Sequence, residues 1–130
     1  MAKPILCLDF DGVIHSYTSG WKGADVVSDP PVPGALQFIA EAMQHFTVAI
    51  FSSRSHQSGG RTAMVEWLGY WSVDPDYGMP SDFDHAAWSA IQWSVTKPPA
   101  FLTIDDRALT FTGCWPDIAT LKNFKPWNKK

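Results

Sequence analysis

Asp9 and Asp11 flank a single phenylalanine at the point where the apolar run 5–8 meets Gly12. In an extended chain side chains alternate, so the two carboxylates project to the same side. An acidic pair there suits holding a cation or attacking phosphorus. Asp and Gly are also turn residues, so a strand merely ending in a turn is the lesser reading of the pair alone. A second pair shifts the balance: Asp105 and Asp106 follow the apolar run 101–104, which is entered through Pro98 and Pro99. If the two runs are parallel neighbouring strands, four acids meet in the crevice where open α/β sheets bind ligands. Like charges about 5 Å apart repel by roughly 3 kcal/mol per pair at an effective dielectric of ~20, so the cluster demands protonation or a cation. Mg²⁺ suits an all-oxygen set with few protein ligands. Asp9, the main chain of Asp11, and Asp105 or Asp106 are its expected ligands.

The intervening sequence supplies the elements that must position these acids. Residues 14–33, punctuated by glycine and proline and carrying His15, Tyr17, Trp21 and Lys22, read as a minimal flap beside the acidic edge. Pro33 suits a first helical turn, and Leu36, Ile39, Ala40 and Met43 trace one apolar face to about residue 45. A short buried strand follows at 47–51, then Ser52, Ser53, Arg54 and a polar loop. A second helix is expected at 61–68 with Gly69 as its stop, an irregular stretch at 70–80, and a third helix at 82–93 begun by a Ser81…Asp84 capping box. After the strand at 101–104, a short strand at 110–112 and a helix at 116–123 complete the pattern, and the basic tail 122–130 is expected to be solvated. Alternating strands and helices predict a three-layer α/β/α sandwich with a mainly parallel, Rossmann-like sheet.

Composition narrows the class. A chain of 130 residues with 45% apolar and 18% charged residues is expected to form one domain, 1–130, and a net charge of −3 gives no general attraction to nucleic acid or anionic membrane. Two cysteines are too few for a disulfide scaffold, and no signal-like or membrane-spanning stretch stands out, so a cytoplasmic protein is expected. His15, His45, His56 and His85 are not spaced like zinc ligands. The seven tryptophans read as core filling, with only the Tyr17, Trp21, Lys22 region hinting at a stacking surface.

Together these motifs resemble the haloacid-dehalogenase-like phosphohydrolase superfamily. Asp9-Phe10-Asp11-Gly12-Val13 is similar to its first motif, with an aspartate nucleophile and, two residues on, an acid/base. Ser52 resembles the hydroxyl motif that holds the phosphoryl group, Lys97 the basic third motif, and Asp105-Asp106 the acidic, magnesium-holding fourth. The resemblance implies a Mg²⁺-dependent phosphomonoesterase acting through an aspartyl-phosphate, with Asp9, Asp11, Ser52 and Lys97 catalytic. Three alternatives stay open: Ser53 in place of Ser52, Lys97 as a solvated loop residue, and Arg54 and Arg107 as either phosphate contacts or partners of nearby aspartates. His15 is a candidate substrate contact.

The cap domain of many relatives has no room here. An open site fits large substrates, such as a phosphorylated polynucleotide end or protein, or closure by a neighbouring subunit. Ser52-Ser53-Arg54 and Asp105-Asp106-Arg107 are also similar to strings in polynucleotide 3′-phosphatase domains. The phosphorylated partner is thus a small molecule or a nucleic-acid end, with no membrane involved. The competing classes are a receiver-like phospho-acceptor, whose phosphorylated aspartate should end a middle strand rather than the first, and a non-catalytic relative retained for binding.

Overall fold

The computed structural model describes residues 2–128. Strand β1 (Ile5–Leu8) leads to helix α1 (Ala35–Ala42), strand β2 (Thr47–Phe51) and helix α2 (Gly60–Ser72). A 3₁₀ segment (His85–Ala90), strands β3 (Gln92–Ser94) and β4 (Leu102–Ile104), and a short helix α3 (Ile118–Lys122) follow. The fold is α/β, with one all-parallel sheet in the order β3-β2-β1-β4. The chain steps outward from β1 to β3 and then crosses to the far side of β1. Strand order therefore reverses between β1 and β4, at a topological switch point where α/β sheets open a crevice beyond their strand ends. Leu8 stands opposite Ile104 there, and the Asp9 N–H donates to the Ile104 carbonyl at 3.0 Å, so both acidic pairs leave the sheet side by side.

Alternation places Leu6, Leu8, Val48 and Ile50 on one face, all buried. They join Leu36 and Ile39 of α1 and Met64, Trp67 and Leu68 of α2 in one core cluster. Full burial of such a side chain is worth about 1.5–3 kcal/mol relative to exposure. This packing anchors the sheet edge from which the acids project.

Several elements differ from the sequence expectation. Helix α1 begins after Gly34, whose φ of 86° is left-handed, so Pro33 lies outside it. Helix α2 runs past Gly69 to Ser72, because the buried stripe of Met64, Trp67 and Leu68 continues to Ser72 while Gly69 lies on the exposed side. Residues 82–93 do not form one continuous helix but a 3₁₀ helix at His85–Ala90 followed by a strand. Asp84 caps the 3₁₀ segment by accepting from the Ala86 N–H at 3.0 Å, and Gln92–Ser94 then enters the sheet beside β2. Trp93 stands opposite Ile50 and extends the apolar face, a gain that a helix would forgo. Residues 110–112 form no strand, and α3 is shorter than expected and buries no side chain. Trp67 fills the core, and Trp71, Trp88 and Trp93 pack against it, whereas Trp21, Trp115 and Trp127 are exposed.

Candidate functional site

Carboxylate oxygens of Asp9, Asp105 and Asp106 lie within 4.8 Å of one another beyond β1 and β4. Gly12 permits this closeness in two ways: its φ is +83°, and a Cβ at that position would run into the Asp106 carboxylate. Asp106 Oδ1 is buried and has no hydrogen-bond partner among the described residues. Burial, reinforced by the charges of Asp105 and Asp106 and by a hydrogen bond shared with the Asp106 side chain, pushes the Asp9 carboxyl up to about 8. An orphaned carboxylate oxygen beside an acid that retains its proton is the state a cation relieves, and the donor set is all oxygen. The trio fits a metal ion.

Asp11 has opposite surroundings. Its carboxylate accepts from Arg54 Nε at 2.9 and 3.2 Å, and its Oδ1 also accepts from His15 Nδ1 at 2.8 Å. Burial alone would raise Asp11, but the hydrogen bonds from His15 and Arg54, with the guanidinium charge, hold it below the usual carboxylate value. The Asp29 N–H, which can only donate, points at His15 Nε2 at 3.0 Å. Nδ1 therefore carries the ring hydrogen, and His15 is the neutral tautomer that donates to Asp11. Asp29 in turn accepts from Ser19 N–H and Oγ, and its carbonyl accepts from Trp67 Nε1 at 2.8 Å. Arg54 Nη1 donates to the carbonyls of Gly23, Ala24 and Val26, each at 2.9 Å. One buried network thus ties the loop after β1, the loop after β2 and the flap together.

A pocket of about 270 Å³ opens onto this edge, lined by Asp9, Asp11, Ser53, Asp106 and Arg107, with Tyr17 and Trp21 from the flap. The sequence-derived candidates divide accordingly. Asp9, Asp11, Asp106, Ser53 and Arg107 line the pocket, and Asp105 completes the trio. The Asp11 carboxylate is not part of that trio. Ser52 does not line the pocket: its buried Oγ accepts from the Arg54 N–H at 3.1 Å, and its own N–H donates to Ser55 Oγ. His15, a candidate substrate contact, is fully buried and engaged at both ring nitrogens. Arg54, left open between phosphate contact and aspartate partner, is fully buried against Asp11 through Nε, while its Nη2 has no hydrogen-bond partner among the described residues. Lys97 is exposed and lies outside the pocket lining. Sequence reasoning missed Asp29, Ser19 and Trp67, since a loop Ser-Asp-Pro-Pro and a core tryptophan carry no sign of a shared hydrogen-bond network. It also missed Trp127, whose Nε1 donates to the Gly12 carbonyl at 2.7 Å from the far end of the chain.

Compared with known proteins, the chain matches no family model, no curated protein and no solved structure. Among the described residues no helix is long and apolar enough to cross a membrane.

Proposed function

We propose that the protein is a Mg²⁺-dependent phosphomonoester hydrolase of the haloacid-dehalogenase-like type, acting through an aspartyl-phosphate on Asp9. The observation that supports this reading best is the acidic trio at the switch point, with Asp106 Oδ1 buried and unpartnered. Asp9, Asp105 and Asp106 would hold the ion, which when bound offsets their mutual repulsion and the charge on the phosphoryl group. Asp9, relieved of its proton, attacks phosphorus, and the bond to the leaving oxygen breaks with its electron pair on that oxygen, which is protonated from water. The Ser53 hydroxyl and the Arg107 guanidinium line the same pocket and donate to phosphoryl oxygens. Asp11, held ionised, is suited to take a proton from the water that then hydrolyses the aspartyl-phosphate. The same hold by His15 and Arg54 makes it a poor donor to the leaving group, the first half of the role that the family resemblance gives it.

The substrate class is a phosphomonoester, whether a nucleotide, a nucleic-acid end or another phosphorylated molecule. A completed three-layer sandwich, closure by a neighbouring subunit and a cytoplasmic setting belong to the same proposal. The test is hydrolysis of an aryl phosphate by purified protein with Mg²⁺, with and without chelator, in the wild type and in Asp9→Asn. Chelator and the substitution should each abolish turnover. Chelator-resistant hydrolysis, or wild-type rates in Asp9→Asn, would contradict it.

A further inference from the structure

Trp21 is 47% exposed, yet it does not sit loosely on the flap. The Arg54 guanidinium lies over its ring, with Cζ 4.7 Å from the centroid. Arg54 is fully buried, fixed by Asp11 and by three flap carbonyls, and does not itself line the pocket, whereas Trp21 does. The indole is therefore backed by an immobile cation and is available to the pocket in one fixed orientation. Across the flap Tyr17 also lines the pocket, with its ring edge-on to the buried His15 ring at 5.9 Å. Tyr17 is the only non-glycine residue with positive φ, 61°, among the described residues, a conformation that strains a bulky side chain and recurs at ligand sites. Both aromatic residues thus contact the network around Asp11 and line the same pocket as Asp9.

We propose that Trp21 and Tyr17 form a preorganised stacking platform that selects phosphomonoesters carrying an aromatic ring, specifically a single nucleotide whose base lies on Trp21 while its phosphate meets Asp9. Stacking a base on an aromatic side chain is worth about 1–3 kcal/mol, or roughly 5- to 150-fold. A ring already held in place loses little freedom on binding, so more of that energy appears as affinity. The pocket, at about 270 Å³, lies just below the ~300–1,000 Å³ typical of drug-sized ligand sites, which suits one nucleotide rather than a chain. The proposal rests on the phosphatase reading for its catalytic readout but not for its binding readout.

The test compares adenosine 5′-monophosphate with ribose 5-phosphate, which shares the phosphate and sugar and lacks the ring, using the full chain with Mg²⁺. Wild-type kcat/KM should favour the nucleotide by about tenfold or more, and Trp21→Ala should collapse that ratio by roughly 5- to 150-fold. Using the ratio cancels any general loss of flap order, and Trp21→Phe, which keeps a ring, should retain most of the preference. A ratio unchanged in Trp21→Ala would overturn the platform. An oligonucleotide bearing the same 5′-terminal phosphate should be hydrolysed no faster than the mononucleotide, and a faster rate that fades with salt would overturn the single-nucleotide assignment. Should the wild type hydrolyse neither small ester, the phosphatase reading fails alone. Calorimetric binding of the nucleotide over ribose 5-phosphate, weakened in Trp21→Ala, would then still uphold the platform, and equal binding of the two would overturn it.

Discussion

Asp9 and Asp11 stand two residues apart on one loop, yet their surroundings drive them in opposite directions. Asp9 is partly buried among other carboxylates and holds its proton up to about 8, whereas Asp11, though similarly desolvated, faces Arg54 and His15 and stays ionised. The difference is one of partners. A buried acid surrounded by acids stores unfavourable energy that a ligand can release, while a buried acid with a cation and a histidine serves as a structural tie. Two carboxylates pushed apart in this way are a common mark of a divided chemical task. Their pH dependences also oppose each other. Asp9, raised from 3.8 to about 8, contributes stability that is full below the lower value and is lost as pH rises toward the upper one. Asp11 and Asp29, both lowered, contribute stability present above the ordinary carboxylate value and lost as pH falls through their lower folded values.

The largest expected effect breaks the tie. Asp11→Asn leaves the Arg54 cation buried without its counter-charge, a loss of about 3–5 kcal/mol, read as a lower urea midpoint. A midpoint within experimental error of the wild type would show that Arg54 finds its balance elsewhere. Next comes relief of the strained acid. In metal-free protein at pH 8, Asp9→Asn should raise the melting temperature by about 5 °C and flatten the decline between pH 5 and 8, even as it abolishes turnover. An equal or lower melting temperature would mean that the trio carries no net repulsion. The smallest effects separate the two serines. Ser52→Ala should lower stability by about 1–2 kcal/mol, because the buried Arg54 N–H loses its acceptor. Ser53→Ala should leave stability unchanged while lowering kcat/KM by about tenfold. The reverse pattern in melting curves and kinetics would exchange their roles.

How far the sequence could be read follows the same division. The acids and the apolar runs that carry them were legible, because strand period and strand ends depend on neighbouring residues, and β1, β2 and β4 lie where the runs at 5–8, 47–51 and 101–104 place them. The switch point then follows from strand order alone. What the sequence did not disclose depends on long-range partners. The sequence left Arg54 open between a phosphate contact and an aspartate partner and offered His15 as a substrate contact, and only the folded chain, which brings Asp11, Asp29 and the carbonyls of residues 23–26 to them, makes both buried ties. The choice between Ser52 and Ser53 turns on which hydroxyl the Arg54 backbone claims, a matter of a few ångströms. The helix expected at 82–93 failed because the unpaired side of β2 offered Trp93 a place in the sheet, a competition that local propensity does not register. The strand expected at 110–112 lies in a stretch whose large apolar residues Phe111 and Trp115 remain exposed, so pairing there is not supported by burial.

The central claim, that Asp9 is held protonated by its burial and its acidic neighbours until a cation takes the proton's place, is tested most directly by titrating Mg²⁺ into the protein at pH 7 by calorimetry in buffers of different ionisation enthalpy. The account predicts one saturable site whose occupation releases about one proton per ion, with both the site and the proton release lost in Asp9→Asn. Binding without proton release, or no binding with all three aspartates intact, would contradict it.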